Sequence, residues 1–202
     1  MAPKSKFTKT QIIDAAFEIA RTDGIDAITI RKVAEKLGSS IAPIYVNFKD
    51  VDELVQEVIA RTLAISRQLF AEQNTGHPFY DIGIASLRFA KEYSVLFRDL
   101  VMKKNDHLKV RHPETDLLVD MMKQDPELEG LPEEELKTIL LKMQIFQTGL
   151  SVMAANGLLP DDFGEEALVG LLNGAAEDMM AAARLRHAEN HQNNSDQTGG
   201  SA

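Results

Sequence analysis

The chain has 202 residues and a formal net charge of −9, with 44% hydrophobic and 26% charged residues. These proportions are ordinary for a globular protein, and the length allows one large domain or two small ones. The chain has no cysteine, which excludes disulfide scaffolds, Cys-ligated metal centres and thiol catalysis. There is no run of 18 apolar residues, and Asp14 and Glu18 interrupt any apolar signal core near the N-terminus. We therefore expect a soluble, cytoplasmic protein without a membrane span.

The charge is divided unevenly along the chain. Residues 1–49 carry a net charge of +3, whereas residues 50–202 carry −12. Because binding to phosphates depends on the face that a protein presents, the negative total does not exclude a nucleic-acid partner. A basic end on an acidic body is compatible with a DNA-binding module attached to a larger regulatory or dimerising domain.

Helical periodicity runs through most of the chain and predicts an all-α fold. Apolar residues recur at intervals of three and four, and alternating β-branched runs are absent. The first helix is predicted to begin at Thr8, with Gln11 in capping-box spacing, and to end at Gly24. Thr29 caps a short second helix that ends at Gly38.

A third helix follows Gly38 almost at once, beginning at Ser39 or Ser40. Two short helices joined by a tight turn that contains glycine are the sequence form of a helix-turn-helix, whose second helix enters the major groove of DNA. The residues expected at base edges are Ser39, Ser40, Ile41, Ala42 and Pro43, which suit close approach and contact with thymine methyl groups. Those expected at phosphates are Lys4, Lys6, Lys9, Arg31, Lys32, Tyr45, Asn47 and Lys49, and Thr29 at the helix cap is counted with the DNA-binding residues. A small bundle with merely solvated lysines is the alternative.

The remainder of the chain is predicted to be helical up to residue 187. Helices are expected at about 50–73, 78–92, 94–104, 114–124, 132–156 and 164–187, and residues 188–202 should be a disordered tail. The 132–156 helix is apolar on more than one face, and the 164–187 helix carries Gly170 and Gly174 four residues apart. Such faces serve either as intramolecular core or as a dimer interface.

The segment from Thr8 to Leu54 resembles the N-terminal domain of the TetR (tetracycline-repressor) family of transcriptional regulators. The matching segments are IIDAAFEIARTDG, ITIRKVAEKLGSS and APIYVNFKDVDEL. They reproduce, in order, an Ala-Ala first helix closed by Gly, a Thr-capped second helix, and a Tyr-x-x-Phe followed by an acidic helix start. Two positions depart from the family pattern: Asn47 replaces the usual histidine, and Val51 replaces a common lysine. We assign a phosphate contact to Lys49 and none to Val51.

The resemblance implies a DNA-binding domain over residues 1–49 and a helical ligand-binding and dimerisation domain over 50–187. It further implies a homodimer, formed through the helices near 132–156 and 164–187, that represses transcription from a near-palindromic operator. A small-molecule effector, expected to be apolar, would release the DNA. Candidate pocket residues are Phe70, Phe89, Phe97, Met102, Met121, Met122, Met143, Phe146 and Gln147.

No sequence motif supports an enzyme or a cofactor site. The chain lacks G-x-S-x-G, phosphate-loop, H-E-x-x-H and dinucleotide patterns. The polar residues His107, His112, Glu114 and Asp116 could chelate a divalent ion, but a solvated loop explains them better, and we predict no metal site. The alternative function is a helical ligand-binding or interaction protein that kept the fold and lost DNA binding, for which Asn47 and Val51 would be early signs.

Overall fold

A computed structural model describes residues 7–103, 112–160 and 162–198. Within these ranges the chain forms nine α-helices and no strand, which confirms the predicted all-α fold. The helices are α1 (Lys9–Asp23), α2 (Ile30–Lys36), α3 (Ala42–Asn47), α4 (Val51–Ala71), α5 (Pro78–Glu92), α6 (Ser94–Phe97), α7 (His112–Met122), α8 (Glu133–Ala155) and α9 (Glu165–Thr198). No helix in the described part of the chain is long and apolar enough to cross a membrane.

The helix ends near the N-terminus follow local signals in the sequence. Thr8 and Gln11 form a complete capping box at the start of α1, and the Thr29 hydroxyl accepts a hydrogen bond from the Lys32 N–H at the start of α2. Gly24 and Gly38 have φ angles of +101° and +60°, which favour glycine and stop α1 and α2. The predicted caps and glycine stops of the first two helices are therefore confirmed.

Two elements differ from the predicted helices. The expected 94–104 helix is a short α6 followed by a π-helical turn over Arg98–Met102, in which Asp99 and Leu100 are buried. Helix α9 continues to Thr198, beyond residue 188 where the composition predicts disorder. Extending a helix that is already packed adds one hydrogen bond for each residue ordered and avoids the cost of nucleation.

The described residues form two compact units. The first contains residues 7–69 and 89–103, and the second contains 70–88, 112–160 and 162–198. Helices α4 and α5 each continue from one unit into the other. The unit that holds the helix-turn-helix thus includes residues well beyond the predicted boundary at residue 49.

The first unit is held together by apolar side chains from the N-terminal helices, from the last turn of α5 and from the residues that follow it. Phe17 of α1 packs its ring 6.4 Å from the ring of Tyr93, and Phe89 stacks on Tyr93 at 5.6 Å. The fully buried large side chains of this unit are Ile12, Ile25, Ile44, Phe48, Leu54 and Leu96. This core holds the first three helices as a rigid scaffold.

The second unit has its own apolar core, built mainly from α5, α7, α8 and α9. Its fully buried large side chains are Phe79, Met122, Leu128, Leu136, Ile139 and Leu140. Asp125, itself buried, accepts a 3.1 Å hydrogen bond from the Phe79 N–H in the first turn of α5 and a 3.0 Å bond from the Glu127 N–H. One carboxylate thus satisfies two backbone donors from different elements.

Candidate nucleic-acid interface

The turn between α2 and α3 has the geometry that a helix-turn-helix requires. The Ser39 N–H donates to the Ala34 carbonyl and the Gly38 N–H donates to the Glu35 carbonyl, both at 2.9 Å. This pair of bonds is the Schellman ending of a helix, which needs a positive φ at the glycine. A Cβ atom at Gly38 would meet nothing within 4 Å, so the backbone conformation and not packing accounts for the glycine.

Helix α3 buries one side and exposes the other. Ile44 and, just after the helix, Phe48 are buried in the core of the first unit. The outward side carries Ile41, Tyr45 and Val46, whose exposed fractions are 48%, 54% and 64%, and Ala42 beside them is also exposed. The structure therefore brings Ile41, Ala42 and Tyr45, three of the predicted DNA-binding residues, onto one exposed surface. We call the residues Ile41, Ala42, Tyr45 and Val46 the α3 face.

Val46 was not among the residues that the sequence analysis selected. The family pattern drew attention to Tyr45 and Asn47 on either side of it. The signal that could have found Val46 is helical spacing, since it lies four residues after Ala42 and one after Tyr45.

Three of the predicted DNA contacts already take part in hydrogen bonds within the motif. The Ser39 hydroxyl donates to the Ser40 carbonyl at 2.7 Å, and the Asn47 side-chain amide donates to the Pro43 carbonyl at 2.8 Å. The Thr29 hydroxyl is occupied as the cap of α2. These side chains stabilise the local conformation of the motif, which explains their residue types without any DNA contact.

Exposed basic side chains lie on α2 and just after α3. Arg31 and Lys36 on α2 and Lys49 after α3 are exposed and make no ion pair with a described residue. Lys32 lies 3.7 Å from the Asp23 carboxylate. Lys4 and Lys6 lie outside the described residues. Three exposed basic groups of the helix-turn-helix segment are thus available to phosphates.

Lys9 has a different environment from the one that the sequence suggested. Its ammonium group lies 2.5 Å from the Glu57 carboxylate of α4 and 5.3 Å from the centre of the Phe48 ring. The hydrogen bond to Glu57 raises the pKa of Lys9 above its ordinary value, against the small effect of burial. A second ion pair, between Arg61 and Asp14, also joins α4 to α1. Together the two pairs attach α4 to the bundle that presents the α3 face.

The start of α4 positions Lys49. The Asp50 carboxylate accepts a 2.9 Å bond from the Glu53 N–H, while the Glu53 carboxylate accepts a 2.7 Å bond from the Lys49 N–H. This reciprocal pair satisfies donors at the helix N-terminus and fixes the backbone between α3 and α4. Val51 occupies the first position of α4 and supplies no charge.

The predicted pocket residues are divided between the two units. Six belong to the second unit, where they are buried or packed against its core: Phe70, Met121, Met122, Met143, Phe146 and Gln147. Phe89 and Phe97 are buried in the first unit, where Met102 is exposed. The second unit thus brings together six of the nine candidates.

Helices α8 and α9 expose apolar side chains that no described residue covers. Leu141, Ile145 and Met153 are exposed on α8, and Leu171 and Leu185 on α9. A Cβ atom at Gly149, Gly170 or Gly174 would meet nothing within 4 Å. These two helices therefore present open, partly apolar surface at the positions that the sequence analysis assigned to a dimer interface.

No metal centre is found in the described part of the chain, where no three His, Asp or Glu side chains are grouped to hold an ion. His107 lies outside the described residues, and so do the side chains of His112 and Glu114.

A bundle that exposes the second helix of a helix-turn-helix is the architecture of a helix-turn-helix DNA-binding domain. Residues 12–58 match the profile of the bacterial regulatory proteins of the tetR family. This match confirms, for that N-terminal segment, the resemblance seen in the sequence.

Individual relatives match a segment of similar length. The chain is 36% identical over 55 residues to the nicotine-responsive transcriptional repressor HdnoR of Paenarthrobacter nicotinovorans, covering 27% of this chain and 28% of that protein. It is 36% identical over 61 residues to the class D tetracycline repressor of Escherichia coli, covering 28% of each chain. The matches thus span less than a third of either relative.

A solved structure extends the likeness to nearly the whole chain, at the level of fold. A transcriptional regulator from Rhodococcus sp. Rha1 superposes with a TM-score of 0.61 at 16% identity, covering 88% of this chain and 98% of that one.

Proposed function

We propose that this protein is a ligand-responsive repressor that binds a near-palindromic operator as a homodimer. The observation that carries the proposal is the α3 face, an exposed surface on a packed helix, together with the exposed Arg31 and Lys36 of α2 and Lys49 just after α3. In this arrangement α3 enters the major groove, and the basic groups neutralise the phosphates on either side.

Dimerisation through α8 and α9 supplies the two-fold symmetry that a palindrome requires. Ile145 and Leu185 are each 66% exposed, although they lie on long helices whose other sides form the core of the second unit. Burying these side chains against a second copy removes apolar surface from water, and the open glycines allow the partner's backbone to approach closely. The α3 faces of the two subunits would then address half-sites one helical turn apart.

The effector is proposed to bind within the second unit, as an apolar molecule with one hydrogen-bonding group. The core of this unit contains buried methionines, Met122, Met143 and Met180, which adapt to ligands of varied shape. Two polar side chains of α8, Gln147 and Ser151, are buried one turn apart, and the Ser151 hydroxyl has no hydrogen-bond partner among the described residues. A buried hydroxyl without a hydrogen-bond partner destabilises the folded protein, and a ligand that forms a hydrogen bond with it removes this penalty.

The test is selection from a random DNA pool with the purified protein, followed by titration of the selected sequence in rising salt. We expect a near-palindromic sequence whose affinity falls steeply with salt. Lys49→Ala should make the slope of log K against log salt shallower by about 0.9 for each subunit, because one phosphate contact is lost. Arg67→Ala, which removes an exposed cation of α4, is the matched control and should leave the slope unchanged.

The competing function, a regulator fold that has lost DNA binding, gives the opposite result. No sequence would be enriched, and Tyr45→Ala and Lys49→Ala would change nothing measurable.

A further inference from the structure

We infer that the α3 face reads its operator through the 5-methyl groups of thymine, with Val46 as a specificity-determining residue alongside Ile41 and Tyr45. The inference rests on the proposed function and adds the chemistry by which the DNA sequence is recognised. It concerns a residue, Val46, that neither the family pattern nor the sequence analysis selected.

The α3 face is formed by apolar side chains and one tyrosine. Val46 is 64% exposed, more than any other large apolar residue of the first unit, and Tyr45 and Ile41 follow at 54% and 48%. The exposed side of α3 therefore offers branched aliphatic groups and one aromatic ring. It carries no arginine, lysine, asparagine or glutamine, the side chains that recognise purines by paired hydrogen bonds.

Polar side chains next to the α3 face already form hydrogen bonds within the motif. The Ser39 hydroxyl donates to the Ser40 carbonyl at 2.7 Å, and the Asn47 amide donates to the Pro43 carbonyl at 2.8 Å. Some of the polar groups next to the α3 face therefore bind the motif itself, which leaves fewer of them to form hydrogen bonds with bases.

The residue types of the α3 face are not the ones that favour helix stability at exposed positions. A β-branched residue is a weaker helix former than alanine, and at an exposed position packing gives little in return. Ile41, at the start of α3, makes no capping hydrogen bond. Residues that break local rules on an exposed surface are typical of functional positions.

The surroundings of the α3 face indicate which molecule, and which group of it, the face contacts. The face lies on the helix that a helix-turn-helix inserts into the major groove, and the exposed Arg31, Lys36 and Lys49 of the neighbouring segments can bind phosphates. Within that groove, the thymine methyl is the apolar group that a base pair presents, and aliphatic side chains contact it. Operator half-sites should therefore carry thymines at the positions that face Val46 and Ile41.

The experiment removes only the methyl group. Each thymine of the selected half-site is replaced in turn by deoxyuridine, which keeps every hydrogen-bonding group, and affinity is measured by fluorescence anisotropy. We expect about a fourfold loss at each contacted thymine, the equivalent of one buried methylene. Replacing the same number of thymines outside the selected site is the DNA control and should change nothing.

Variants of the protein identify which side chain contacts the thymine methyl group. Val46→Ala should weaken binding to the thymine operator and abolish the difference between thymine and uracil at one position of each half-site. Its melting temperature should be unchanged or slightly higher, because alanine is the better helix former and the valine is mostly exposed. Val101→Ala, at an exposed valine of the same unit outside the motif, should leave DNA binding unchanged.

Equal affinity for the thymine and uracil operators, or selected half-sites that share no thymine, would overturn methyl recognition while leaving the repressor proposal in place. Retention of the thymine–uracil difference at every contacted position in Val46→Ala would overturn the role of Val46. If no DNA is bound at all, both proposals fail.

Discussion

The backbone N–H of Ile25 donates a 2.9 Å hydrogen bond to Oδ2 of Asp99, although 74 residues separate the two in the chain. Ile25 lies in the turn between α1 and α2, and Asp99 lies in the π-helical turn after α6. The same carboxylate accepts bonds from Lys103 at 2.9 Å and from Arg98 at 3.2 Å. Through Asp99, the segment that follows α6 is tied directly to the entrance of the helix-turn-helix.

Replacing Asp99 with alanine should destabilise the protein by about 1–3 kcal/mol, because the buried Ile25 N–H would lose its acceptor. Asp99→Asn keeps an acceptor oxygen for Ile25 and should cost less. Asp26→Ala, at an exposed carboxylate in the same turn, should change stability by no more than about 0.5 kcal/mol. Urea denaturation measures all three, and equal effects of Asp99→Ala and Asp26→Ala would show that the long-range bond contributes nothing.

The same carboxylate should make stability depend on pH in acid. Burial raises the pKa of Asp99, but the hydrogen bonds from Lys103, the Ile25 amide and Arg98 outweigh it and hold the pKa below the ordinary 3.8. A carboxyl whose pKa is lowered by folding contributes stability above its unfolded pKa and loses it as the pH falls through the folded value. The stability difference between the wild type and Asp99→Asn should therefore be constant near neutral pH and shrink below about pH 4. A difference that stays constant to pH 2 would contradict the lowered pKa.

Gly24→Ala should destabilise the protein more than Gly38→Ala. Both glycines have positive φ, but a Cβ atom at Gly24 would lie 2.5 Å from Asp99 Oδ2, whereas one at Gly38 would meet nothing within 4 Å. We expect Gly38→Ala to lower the free energy of unfolding by about 1 kcal/mol, from backbone strain alone. Gly24→Ala should lower it by about 3 kcal/mol or more. In the Asp99→Ala background the excess cost at Gly24 should fall, which a double-mutant cycle by chemical denaturation would measure.

Ser151→Ala should stabilise the free protein by about 1 kcal/mol. The Ser151 hydroxyl is buried without a hydrogen-bond partner among the described residues, and removing it relieves a desolvation cost. Gln147→Ala, one turn earlier, removes a larger buried side chain and should destabilise. Thermal melting of the two variants distinguishes these expectations, and a lowered melting temperature for Ser151→Ala would show that its hydroxyl is satisfied in the folded protein.

Ile145→Asp should convert the proposed dimer to a monomer, because it places two charges in an apolar interface. Leu158→Asp is the matched control: Leu158 is 64% exposed, close to the 66% of Ile145, but lies after α8. Sedimentation equilibrium should give a monomer for Ile145→Asp and a dimer for Leu158→Asp. A dimer in both variants would place the interface elsewhere.

The sequence alone was sufficient to predict a structural feature wherever the interaction that determines the feature joins residues only a few positions apart. The capping box of Thr8 and Gln11, the Thr29 cap and the glycine stops at Gly24 and Gly38 all depend on hydrogen bonds or backbone angles inside one turn of chain. Those short-range signals, with the helical period of the apolar residues, determined the all-α fold and the helix-turn-helix.

Only the tertiary structure decided which distant segments meet. It joined Asp99 to Ile25, paired Lys9 with Glu57, placed Phe89 and Phe97 in the first unit, and left Val46 exposed on α3. Periodicity indicates which side of a helix is apolar, but packing determines which apolar side chains are buried. The sequence therefore determined the elements and their ends, because those interactions are local, while long-range packing decided the partners and the exposed surface.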